Sequence, residues 1–102
     1  ISLVNIYYST NSGSSWSRIQ ANYPASNKSY TYSVPANFAT DSLRIKIEDA
    51  TNTFIADSSS QDIFVRWINL LSPIGGEHLQ ANQPQNISWS ASSNMTNIRI
   101  DF

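Results

Sequence analysis

The sequence predicts an all-β protein, an antiparallel β-sandwich. Three observations carry that prediction. Apolar and polar residues alternate with a period of two in nearly every segment, turn residues recur between the segments, and no stretch shows a helical period.

The first strand is expected over residues 2–10, with Val4, Ile6 and Tyr8 on its inward face. Asn11-Ser12-Gly13-Ser14 is a turn, because Asn and Gly tolerate positive φ. Residues 16–20 return as the second arm of a hairpin, and residues 24–28 form a loop. A third strand is expected over 29–34, with Tyr30, Tyr32 and Val34 inward, stopped by Pro35, which cannot donate to a ladder. Residues 36–40 can form a single helical turn. The clearest alternation lies at 42–48, where Leu43, Ile45 and Ile47 interleave with Arg44, Lys46 and Glu48. Residues 50–56 suggest a short hairpin excursion and 57–61 a polar loop. A strand over 63–67, with Ile63, Val65 and Trp67 inward, runs almost directly into another over 68–71, which Ser72-Pro73 ends. Gly75-Gly76 is a turn, 85–90 is a strand with Ile87 and Trp89 inward, and 97–102 is the last strand. The expected core is Ile6, Tyr32, Ile45, Val65, Ile87 and Trp89, each burial stabilising by roughly 1.5–3 kcal/mol.

Composition narrows the function. A chain of 102 residues is long enough for one domain with a core. The formal charge of -1 gives no electrostatic case for nucleic acid or an anionic membrane. Ser, Thr and Asn make up roughly a third of the chain, while its three Trp, five Tyr and four Phe supply apolar area that argues against disorder. There is no Cys, so disulfides and thiolate metal sites are excluded. With the Ser/Thr/Asn bias this fits a surface or secreted protein. No apolar run of membrane-spanning length and no signal peptide occur, so any export signal or anchor is expected outside this stretch.

The end of the chain repeats its beginning. Asn97-Ile98-Arg99-Ile100 reads like Asn5-Ile6-Tyr7-Tyr8 in the same phase. The repeat is expected to reflect a tandem array, with this stretch expected to be cut mid-module.

Two motifs resemble a known family. Ser72-Pro73-Ile74-Gly75-Gly76-Glu77, then Ala81-Asn82-Gln83 and Ile87-Ser88-Trp89-Ser90, resembles the opening of a Kre9/Knh1-like (Ser-Thr-rich, GPI-anchored type) immunoglobulin-like domain. Residues 9–16, Val34-Pro35, Leu43-Arg44-Ile45 and Asp62-Ile63-Phe64-Val65 resemble the second half of the same module, in permuted order. Ile74 stands where that family usually has Asn, and Asn11-Ser12 replaces a common Asp-Gly; both are turn changes. The resemblance implies an extracellular immunoglobulin-like β-sandwich repeat of surface proteins. It divides the chain into 1–67, the C-terminal strands of one module, and 68–102, the N-terminal strands of the next.

Candidate chemistry is sparse. Ser9, Asn11, Gly13 and Trp16 form a structural turn motif that also resembles the Asp-box of sialidase-type propellers, where a side-chain oxygen caps turn amides and Trp packs beneath. Gly75 and Gly76 form the second turn motif. Glu48, Asp49, Asp57 and Asp62 flank one loop region, but their spacing fits no Ca²⁺ template, and solvated turn carboxylates explain them. His78 is the single histidine, and no nucleophile-elbow or paired-carboxylate pattern accompanies it. Tyr7, Tyr23 and Trp67 are candidate sugar-stacking aromatics, against a core role for Trp16, Trp67 and Trp89. Asn27, Asn86 and Asn94 stand in N-glycosylation patterns, and Asp41-Ser42-Leu43 resembles an O-glycosylation acceptor at Ser42.

The sequence therefore points to a non-enzymatic structural or adhesive repeat of a long cell-surface protein or filament. No cofactor or metal is expected, nor nucleic acid or direct membrane insertion. The expected partners are neighbouring copies, head to tail, which complete each module by strand complementation, and surface glycans. The alternative is a carbohydrate-binding accessory module of a secreted hydrolase. Residues from 68 onward are expected to point away from 1–67; a compact monomer would instead bring Ile87 or Trp89 onto Ile45 or Tyr32.

Overall fold

A computed structural model describes all residues, Ile1–Phe102. The chain is all-β and antiparallel. Its strands are β1 (Leu3–Ser9), β2 (Ser17–Pro24), β3 (Thr40–Asp49), β4 (Ala56–Ser58), β5 (Ile63–Val65), β6 (Ile68–Ser72) and β7 (Ser88–Ala91). They make two sheets. The first runs β2-β1-β3-β4, with β5 also on β3; the second is β6-β7 alone.

The centre of the first sheet is the β1–β3 pair. Ile6 lies opposite Ile47 and Tyr8 opposite Ile45 on one face, while Asn5 faces Glu48 and Tyr7 faces Lys46 on the other. The alternation read from residues 2–10 and 42–48 thus becomes one apolar and one polar face. β4 and β5 share the outer edge of β3. Between them Ser59 bridges, its amide donating to the Ile45 carbonyl at 2.8 Å and its hydroxyl accepting from the Ile45 amide at 3.0 Å. β2 is longer than expected, reaching Pro24 through two register shifts. Asn22 lies within the bulged stretch at φ 53, and its amide donates to Asn5 Oδ1 at 3.0 Å, so the irregular backbone is not left unsatisfied.

Two expected strands are not strands. Residues 29–34 are extended in sequence pattern but have no ladder partner. Their rings still take the expected side: Tyr32 stacks on Tyr8 at 6.4 Å and Tyr30 meets Tyr23 edge-on at 5.1 Å. Alternation fixes which face a side chain takes; pairing needs an edge, and this chain brings none beside 29–34. Residues 97–102 are likewise unpaired. At 36–40 there is a turn, closed by the Phe38 amide on the Pro35 carbonyl at 3.1 Å, rather than a helical turn.

The expected core is only partly formed. Ile6 is buried, and Leu43 joins it as the second buried apolar residue. Tyr32, Ile45 and Val65 are half-buried, whereas Ile87 and Trp89 stay exposed at 46% and 39%. The reason is layering. A sheet buries a face only against a second layer, and β6-β7 pairs with no strand of the first sheet. The chain extends 67 × 26 × 18 Å with a radius of gyration of 20.3 Å, against about 13 Å for a compact domain of this length.

Candidate functional site

Three places concentrate side-chain organisation. The first is the β1–β2 hairpin. Ser9, 2% exposed, accepts from the amides of Asn11 at 3.2 Å and Gly13 at 2.9 Å. Its hydroxyl donates to Asn11 Oδ1 at 2.7 Å, which also accepts the Ser15 amide at 2.9 Å. Gly13 sits at φ 93, a conformation that calls for glycine, and packs beside the Trp16 ring. All four residues of the first turn motif therefore meet at one point, and their work is to satisfy turn amides.

The second place is the polar face of the β1–β3 pair, which sequence reasoning missed as a unit. Glu48, 8% exposed, accepts from Tyr7 Oη at 2.9 Å and Asn5 Nδ2 at 3.2 Å, both on Oε2. Lys46 Nζ stands 4.0 Å from Oε1 and lies over the rings of both Tyr7 and Trp16, 4.8 Å from each centroid. The bond to Glu48, then partial burial and the carboxylate's charge, push the Tyr7 phenol above its ordinary value. The signal was present as Asn5, Tyr7, Lys46 and Glu48 at outward positions of adjacent strands, but only the register joins them.

The third place is an apolar groove of about 580 Å³ on the β6-β7 sheet. Its floor is Ile68, Leu70, Ile87 and Trp89, and it is walled by the row Ile98, Ile100, Phe102. No residue before Ile68 lines it. A polar junction joins this sheet to the first. Ser92, 5% exposed, exchanges bonds with Trp67, its amide reaching the Trp67 carbonyl at 3.0 Å and its hydroxyl accepting the Trp67 amide at 3.2 Å. Asn94 Nδ2 donates to Asp41 Oδ1 at 2.8 Å and to the Val65 carbonyl at 3.0 Å.

The remaining candidates are dispersed. Glu48 is engaged as described, Asp49 Oδ1 accepts from the Thr51 amide and hydroxyl, and Asp57 caps the Ser58 amide. The Ser12 hydroxyl and then the Arg44 guanidinium, 2.9 Å away, hold the Asp62 carboxyl below the usual carboxylate range. The four acids do not converge, and no group of three or more His, Cys, Asp or Glu is placed to hold a metal ion. Gly75 and Gly76 take φ 125 and 78, and Glu77 closes their turn by accepting the amides of Ile74 at 2.7 Å and Gly75 at 2.6 Å. His78 is exposed. Tyr23 is half-buried and its hydroxyl donates to the Ser29 carbonyl at 2.8 Å; Trp67 is half-buried in the junction. Of the glycan acceptor positions, Asn27 and Asn86 are exposed and Ser42 is half-buried. Asn94 is the exception: the nitrogen that would carry a glycan is taken by Asp41 and Val65.

Compared with protein-family models, characterised proteins and solved structures, the chain matches none of them.

Proposed function

We propose that this chain is a non-enzymatic, immunoglobulin-like structural repeat of an extracellular surface protein or filament, of the Kre9/Knh1-like type, completed head to tail by a neighbouring repeat. One observation carries the reading: a single elongated chain holds two sheets, each apolar on one face, and neither face is covered by the other sheet. The half-buried Ile45 and the 46%-exposed Ile47 mark the first, and Ile68, Leu70, Ile87 and Trp89 the second. Contiguous exposed apolar faces mark interaction surfaces. The carboxylates are engaged by backbone amides, side-chain hydroxyls and arginines. The rings of Tyr7 and Trp16 are covered by Lys46, which removes the flat platform a sugar would need.

The test is solution scattering and sedimentation across a concentration series. Head-to-tail completion makes mass and length rise together at constant cross-section. A chain that stays monomeric at millimolar concentration, or closes into a compact dimer, sinks the proposal.

A further inference from the structure

The unpaired segment 29–34 and the free edge of β7 are two halves of one strand pairing. We infer that β7 of one copy adds to residues 30–34 of a second copy as an antiparallel strand, with Trp89 opposite Tyr32. The inference rests on the repeat reading above and specifies its contact.

Residues 30–34 carry the alternation of a strand without a ladder partner. Tyr30, Tyr32 and Val34 alternate with Thr31 and Ser33, and the rings of Tyr30 and Tyr32 sit against Tyr23 and Tyr8 of the first sheet. No backbone amide or carbonyl from Tyr30 to Val34 makes a backbone hydrogen bond. β7 pairs with β6 along one edge only, so its other edge presents the same lack. Leu70 opposite Trp89 and Ile68 opposite Ala91 put these side chains on the groove face and Ser88 and Ser90 on the other. An antiparallel register with Tyr32 at Trp89 then sets Val34 at Ile87 and Tyr30 at Ala91. Thr31 falls at Ser90 and Ser33 at Ser88. Every inward pair is apolar and every outward pair is hydroxyl-bearing, which no shift by one residue allows.

The occupant is a second copy for two reasons. The chain's own β7 makes no ladder with residues 30–34, and Ser92 and Asn94 fasten its sheet to Trp67, to Val65 of β5 and to Asp41 of β3. The groove is also lined by Ile98 and Ile100, which the internal repeat equates with Ile6 and Tyr8 of β1. The β6-β7 sheet thus faces a β1-like row, and Tyr8 of a second copy brings Tyr32 with it. The mode is strand addition at an open edge.

The chain has no cysteine, so disulfide trapping has a clean background. Thr31→Cys chains are mixed with Ser90→Cys chains, and Ser33→Cys with Ser88→Cys, under mild oxidation. Both mixtures are expected to give a covalent dimer at least tenfold above an Arg18→Cys plus Ser90→Cys mixture, which probes the rival edge of β2. Adding Trp89→Ser to the Ser90→Cys chain, at an exposed position, is expected to remove the dimer while circular dichroism stays unchanged. A disulfide-closed monomer from the double variant Thr31→Cys/Ser90→Cys at high dilution overturns the second-copy assignment. Elongated oligomers without these cross-links overturn the edge and leave the repeat reading standing; an invariant monomer overturns both.

Discussion

Tyr7 Oη donates to Glu48 Oε2 at 2.9 Å across the β1–β3 pair, on the face opposite Ile6. The bond crosses diagonally, since Tyr7 lies opposite Lys46 and Asn5 opposite Glu48. It ties two neighbouring cross-strand pairs together while Asn5 connects the same carboxylate to the bulge in β2. Losing the phenolic proton would set a second negative charge against Glu48.

Tyr7 is therefore expected to titrate above the ordinary phenol value. A folded value raised above the unfolded one means that this stabilisation is whole below the unfolded value and disappears as pH rises through the folded one. Ultraviolet titration of phenolate is expected to show a late component that Tyr7→Phe removes and Glu48→Gln moves to lower pH. A late end of the titration curve that Tyr7→Phe leaves unchanged would refute it.

Ser9→Ala is expected to destabilise the chain by about 1–3 kcal/mol, because it strands two amides at a buried position. Asn11→Ala is expected to cost less, since the Ser15 amide it caps is exposed. Urea denaturation of the two variants checks the order; equal midpoints would contradict it.

Leu43→Ala is expected to lose about 2–5 kcal/mol, since Leu43 is 6% exposed in the first sheet. Ile87→Ala in dilute monomer is expected to stay within about 0.5 kcal/mol of the parent, as surface positions do. Thermal unfolding in dilute solution distinguishes the two sites, and a comparable loss at Ile87 would show that its face is already covered.

The amides of Ile74 and Gly75 hold the Glu77 carboxyl below the ordinary carboxylate range. A depressed folded value means that the turn's stabilisation is present above the unfolded value and lost as pH falls through the folded one. The Ile74 and Gly75 amide proton shifts are expected to titrate together in that acidic window and to become flat in Glu77→Gln. Flat profiles in the parent chain would remove Glu77 from the turn.

Much of this was legible in the sequence. The alternation of Val4, Ile6, Tyr8 and of Leu43, Ile45, Ile47 determines the all-β class and the face each side chain takes, because a strand sends successive residues to opposite sides whatever its neighbours do. The hairpin motif was equally readable, since Ser9, Asn11 and Gly13 act within five residues of one another. Burial, pairing and long-range capping were decided only by the tertiary structure. Ile87 and Trp89 carry the same inward pattern as Ile6 and remain exposed, because burial needs a second layer and not a period. Residues 29–34 alternate as strands do and stay unpaired, because hydrogen bonds need an edge within reach. Glu48 meets Tyr7 and Asn94 meets Asp41 through registers and junctions that join positions far apart in the chain, and no local pattern encodes which strands lie side by side.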